Sequence, residues 1–187
     1  MSDVKKITGA AVLIAIEIVL QTIGNYIALG PISINLSLIP IAVGAIIYGP
    51  FVGALLGLIN GVAVLFAPST QAIFLAYAPL GTIITCLVKC SAAGLVSGFA
   101  YKLIEKKNAF VAILVASLLV PIINTGLFAL FSFTLLIKAI EALNGGKANL
   151  FRFVFLALIG WNFIFEFSIT LVLSTTLARI IKIKKEQ

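Results

Sequence analysis

Histidine is absent from this chain and charge is scarce: Asp, Glu, Lys and Arg make up 10% of 187 residues, against about 25% in soluble globular domains. Without histidine the chain lacks the commonest general base near neutral pH and the commonest neutral metal ligand. The two cysteines, Cys86 and Cys90, have no further Cys or His with which to complete a zinc set. Both lie inside an apolar run and say little about redox compartment. Gly146-Lys147 does not belong to a phosphate-binding loop, because that motif needs Gly at 141 and Ser or Thr at 148, and this chain has Glu141 and Ala148. No Gly-x-Ser-x-Gly, His-Glu-x-x-His or paired catalytic carboxylate motif occurs. These absences leave no expectation of a cofactor, a metal or an enzymatic activity.

Apolar residues are present instead. Hydrophobic residues make up 62% of the chain, and its mean hydropathy is +1.24. About six runs approach the roughly 20 residues that cross a bilayer core. The expectation is an all-α membrane protein, one domain over residues 1–187 with six transmembrane helices. They are predicted over about 5–28, 35–48, 51–66, 79–104, 110–136 and 151–183. The first run is too long for a signal-peptide h-region and is interrupted by Glu17, so it reads as a retained helix. The net charge of +7 does not indicate nucleic acid, because the basic residues sit at helix ends without interleaved aromatics. Lys5, Lys6, Lys102, Lys106, Lys107, Arg179, Lys182, Lys184 and Lys185 fall on one side, with Lys138, Lys147 and Arg152 on the other. By the positive-inside rule both termini and the 4–5 loop are expected in the cytoplasm, with the 1–2, 3–4 and 5–6 loops outside. No internal repeat of the kind found in inverted-repeat transporters is apparent.

Residues 32–66, ISINLSLIPIAVGAIIYGPFVGALLGLINGVAVLF, carry no formal charge. Tyr48-Gly49-Pro50 divides them, since Gly and Pro break a helix and the residue before Pro leaves the α region. Gly53, Gly57 and Gly61 then recur every four residues, a stripe that lets a second backbone approach closely in lipid. Cys86, Cys90, Gly94 and Gly98 form a similar stripe on the fourth helix.

Ionisable residues at membrane depth are costly and usually paired or functional. Counting from the cytoplasmic basic anchors at about 1.5 Å per residue places Lys89 and Glu166 about 20 Å up and Glu17 about 17 Å up. By the same count Asn124 and Asn162 stand at about 25 Å, and Asn162 and Glu166 share one helix face. The candidate ligand residues are Lys89, Asn124, Asn162 and Glu166, with Asn60 added from the third helix. They suggest a polar pocket in the outer half, walled by helices 4, 5 and 6 and lidded by the external loops. Tyr77, Trp161, Phe163 and Phe165 are candidate stacking surfaces. The bland reading is that Lys89 and Glu166 pair to fix helix register, that the amides bond neighbouring helices, and that Glu17 is structural.

The segment NLSLIPIAVGAIIYGPFVGALLGLINGV resembles the second and third helices of substrate-binding S components of energy-coupling factor (ECF) vitamin transporters. The resemblance implies an S-component-like six-helix bundle in the plasma membrane of a bacterium. It implies capture of a water-soluble vitamin or precursor from outside, and docking on a transmembrane coupling subunit that carries two ATPases. The family's Ala-x-x-x-Ala docking motif on helix 1 is matched by Ala11 and Ala15. Lys89 favours a carboxylate vitamin such as pantothenate unless Glu166 neutralises it, and riboflavin, pyrimidine and pyridoxine types stay open. The alternative is a non-transporting six-helix scaffold of the cell-shape MreD type, which needs no pocket.

Overall fold

The computed structural model describes residues 3–27, 33–145 and 149–186, without the side chains of Asp3, Lys5, Ser174, Thr175 and residues 177–186. Gly30, Pro31 and Ile32 of the expected 1–2 loop, the turn at Gly146-Lys147, and the side chains of the C-terminal basic cluster lie outside the described residues.

The chain is helical: α1 (Asp3–Asn25), α2 (Leu38–Tyr48), α3 (Pro50–Leu65), α4 (Pro79–Ile104), α5 (Ala109–Ser132), α6 (Ile137–Asn144), α7 (Leu150–Arg152) and α8 (Trp161–Glu186). Two π-helical stretches, Thr70–Leu75 and Phe153–Gly160, precede α4 and α8. Among the described residues, four helical segments are long and apolar enough to cross a membrane: Lys6–Asn25, Pro79–Ile104, Ala109–Ser132 and Leu150–Leu173. The second and third expected spans are shorter, at 11 and 16 residues, or about 16 and 24 Å at the helical rise. They are separated only by Gly49, whose φ of 102° is open to glycine and strained for other residues.

Two stretches differ from expectation. The fifth helix stops at Ser132, and Phe133–Leu136 forms a turn leading into α6, where the sequence suggests a loop. That short helix is amphipathic, with Ala139 and Ile140 buried and Lys138 and Glu141 exposed. It ends on Gly145 in the left-handed conformation, the usual C-terminal stop. The expected 3–4 loop, residues 67–71, is helical from Pro68 onward, with Thr70 and Gln71 already in the π-helical stretch that buries Phe74.

The glycine stripe of α3 meets the small residues of α4. A Cβ on Gly57 would run into the Cys90 carbonyl, one on Gly61 would lie 2.6 Å from the Cys86 carbonyl oxygen, and one on Gly53 would lie 2.7 Å from that of Gly94. Backbone therefore rests on backbone along the whole seam, the packing that small residues permit where lipid supplies little hydrophobic drive.

The core is layered along α5 at four-residue spacing. Ala112 and Ala116 join Ile46, Tyr101 and Ile113 at one end. Val120 joins Leu38, Ile41, Leu56 and Ala93 in the middle. Phe128 packs on a third cluster of Phe74, Leu136, Ile140, Val154 and Leu158 at the other end. Asn124 falls between the second and third layers, where the apolar packing is interrupted.

Candidate ligand-binding site

The interruption is a cavity of about 80 Å³, room for on the order of five to eight waters at 10–15 Å³ each. Four of the expected residues line it: Lys89 from α4, Asn124 from α5, and Asn162 and Glu166 from α8. The i, i+4 spacing along each helix brings them together, since α4 and α5 present Ala93 and Val120 to the middle core layer one turn away. Asn60 lies behind this wall, fully buried and not among the lining residues. Its Nδ2 donates to Asn35 Oδ1 at 3.4 Å and approaches Cys90 Sγ at 3.6 Å. The Cys90 thiol in turn donates to Asn124 Oδ1 at 3.5 Å.

Lys89 and Glu166 line the same cavity without closing on each other: among the described residues no ion pair within 4.0 Å joins them. Glu166 Oε1 accepts the backbone N–H of Asn35 at 2.9 Å. The Lys89 ammonium lies 5.8 Å from the centroid of the Phe128 ring, within cation–π range. The expected pair therefore divides into a carboxylate held by backbone and a cation held over an aromatic face.

Several lining residues are not among the named ligand candidates, though two of them belong to the loops expected to form the lid. Ser33 and Asn35 come from the 1–2 connection, Gln21 from α1 and Thr70 from the π-helical turn. Asn35 Oδ1 caps the N–H of Ser37 at 3.2 Å, and Ser37 Oγ reaches the carbonyl of Glu17 and Gln21 Oε1, each at 3.1 Å. A short polar run before an apolar helix is the only sequence signal for this arrangement. Of the expected aromatics, Phe163 lines the cavity, whereas Trp161, Tyr77 and Phe165 point outward at 69%, 56% and 42% exposure. The ring facing the cavity from α5 is Phe128, one of fourteen phenylalanines.

Both π-helical stretches border the cavity, through Thr70 on one side and Leu158 and Ile159 on the other. Such segments concentrate at functional sites. Pro121 lies one turn before Asn124 inside α5 and withholds a donor from the helix ladder there. On α1, Ala11 and Ala15 lie together on the outward face, beside the exposed Ile7, Val12, Ile18 and Val19. Glu17 turns inward from the same helix and is fully buried.

Membrane-length helices enclosing a polar cavity within their span define a class, the polytopic membrane proteins with a buried hydrophilic site. A family model, the ECF transporter substrate-specific component, matches residues 5–178, and the chain belongs to that family. It is therefore a substrate-specific subunit of a transporter, one that works with an ECF module on a small-molecule substrate. Membership separates it from the scaffold alternative. Searches of curated proteins and of solved structures return no match.

Proposed function

We propose that this protein captures a water-soluble vitamin or vitamin precursor in the cavity lined by Lys89, Asn124, Asn162 and Glu166. It would release the ligand inward when docked on its coupling module. The observation that carries this reading is that cavity: a cation, an anion and two amides face one space at membrane depth, bordered by Phe128 and Phe163. Groups of both signs in an apolar bundle are expensive unless they serve a ligand or one another, and these two do not pair.

Glu166 accepts ligand donors, the amides take either role, and Lys89 meets an acceptor or anion. Asn60 positions Asn35 and Cys90 behind the wall. Because no ion pair within 4.0 Å ties Lys89 to Glu166, its ammonium can turn to a ligand, and a carboxylate vitamin such as pantothenate is favoured over riboflavin, pyrimidine or pyridoxine types. The single domain then comprises six spans, with α2 and α3 as the two short ones. Both termini lie in the cytoplasm of a bacterium, and the 1–2 and 3–4 connections, which supply Ser33, Asn35 and Thr70, face outward. Ala11 and Ala15 on α1 meet the transmembrane coupling subunit, whose two ATPases supply the energy. The chain itself is not an enzyme and needs no cofactor.

The test is thermal stabilisation of the purified protein by a panel of vitamins, repeated with Asn162→Ala and Lys89→Ala. Stabilisation of the wild type that both variants lose, while remaining folded, is expected. Equal stabilisation of wild type and variants would place the ligand elsewhere.

A further inference from the structure

Beside the first cavity lies a second chamber of about 50 Å³, whose lining includes Thr82 and Thr85. Val64, Thr70, Lys89 and Phe128 line both, so Lys89 and its aromatic neighbour stand at the boundary.

Thr85 is the unusual member of this chamber. Thr82, Ser91, Ser132 and Thr170 each return their hydroxyl to the carbonyl four residues earlier, at 2.6 to 2.8 Å, as hydroxyls inside helices commonly do. Thr85 does not: it is 1% exposed, and its Oγ1 has no hydrogen-bond partner among the described residues. A buried hydroxyl without a partner carries its desolvation cost uncompensated. Thr85 and Lys89 are one turn apart and line the same chamber, so an O–H and an ammonium are available together to one acceptor group. Neither Asp nor Glu lines this chamber; the cavity's carboxylate, Glu166, belongs to the first one only.

Resting on the site proposed above, we propose that Thr85 and Lys89 form an anion clamp, and that the ligand is an elongated acid. Its body of amide or hydroxyl groups lies against Asn124, Asn162 and Glu166. Its carboxylate passes Phe128 into the second chamber and takes both donors. The two chambers share four lining residues, so one elongated ligand can reach into both. A phosphate would suit the same donors, so the shared chemistry is an oxygen anion at the end of a chain.

The experiment uses the full-length protein in detergent and calorimetric titration with pantothenate, with panthenol, which replaces the carboxylate by an alcohol, and with 4′-phosphopantothenate and inorganic phosphate. Thr85→Val, which keeps the shape and removes the hydroxyl, and Asn162→Ala are compared with wild type. Pantothenate is expected to bind at least tenfold more tightly than panthenol. Thr85→Val is expected to weaken pantothenate on the order of tenfold, leave panthenol unchanged, and keep or raise the melting temperature of the ligand-free protein. Tighter binding of the phosphorylated compound or of phosphate than of pantothenate would overturn the carboxylate assignment. Equal binding of acid and alcohol, no binding of the acid, or an unaltered acid affinity in Thr85→Val would overturn the clamp. If Asn162→Ala weakens a probe and Thr85→Val does not, the clamp falls and the first cavity stands. If neither variant alters binding of a probe that the wild type takes, both fall.

Discussion

The backbone N–H of Asn35 donates to Glu166 Oε1 at 2.9 Å, joining residues 131 apart in the chain. This bond fastens the segment entering α2 to the second turn of α8 and aims the carboxylate along the cavity wall. It also leaves the second carboxylate oxygen for another donor. A backbone donor, unlike a lysine, cannot swing away, so Glu166 is held in place without being neutralised.

Glu166 therefore has separable structural and ligand roles. Glu166→Gln keeps an acceptor for Asn35 and removes the charge. It should fold with little loss of melting temperature while weakening a donor-bearing ligand on the order of tenfold, as expected for hydrogen bonds to a charged group. Glu166→Leu strands the Asn35 N–H in the interior, at about 1–3 kcal/mol, and should lower the melting temperature as well. Thermal unfolding in detergent with ligand titration separates the two. A Gln variant as unstable as Leu would mean that the charge itself holds the fold.

The α3–α4 seam makes a second, opposite pair of expectations. A Cβ at Gly57 meets the Cys90 carbonyl, which is backbone and cannot rotate aside, whereas one at Gly126 in α5 meets nothing within 4 Å. Gly57→Ala should destabilise by about 1–3 kcal/mol through overpacking. Gly126→Ala should be neutral or stabilising by up to about 1 kcal/mol, from helix propensity. Melting temperatures of the two purified variants check this. Equal effects would mean that the seam relaxes.

Much of this arrangement can be read from the residues, for identifiable reasons. The helical rise is constant, so counting from basic anchors puts Lys89, Glu166, Asn124 and Asn162 at neighbouring depths, and these four line one cavity. The four-residue recurrence of Gly53, Gly57 and Gly61 likewise announces a close helix contact. What escaped has no periodicity to reveal it. Asn35 and Ser37 act through a turn of a few residues, and Phe128 is one ring among many on an apolar helix. The π-helical stretches depend on tertiary packing. Asn60 is polar within an apolar helix, yet its side chain is spent on Asn35 and Cys90. Depth alone does not tell which way a residue faces.

The outward face of α1 yields a prediction about transport. Ala11 and Ala15 are exposed on one side of a helix whose membrane-spanning window is only 17% buried within the protein. If they meet the coupling subunit, Ala11→Leu with Ala15→Leu should abolish uptake by the assembled transporter. It should leave ligand affinity of the isolated protein within about twofold, since neither side chain faces the cavity. Uptake assays in cells and titration of the purified protein read the two effects. Loss of both together would assign the pair to folding.

Glu17 tests whether that helix also carries something inward. Its side chain is fully buried, and neither carboxylate oxygen has a hydrogen-bond partner among the described residues. Its carbonyl, by contrast, accepts from Ser37 Oγ. A carboxyl group in that position is a burden on the fold, because the desolvation of a buried charge is repaid only by close partners. Glu17→Leu is close in volume and removes the polar group without touching the Ser37 bond, which goes to backbone. It should raise the melting temperature of the isolated protein, with a gain on the order of 1–3 kcal/mol. Ligand affinity should hold, since Glu17 does not line the cavity. A fall in melting temperature would reveal a bound water or cation that the carboxylate retains in solution, and would turn Glu17 from a tolerated burden into a site.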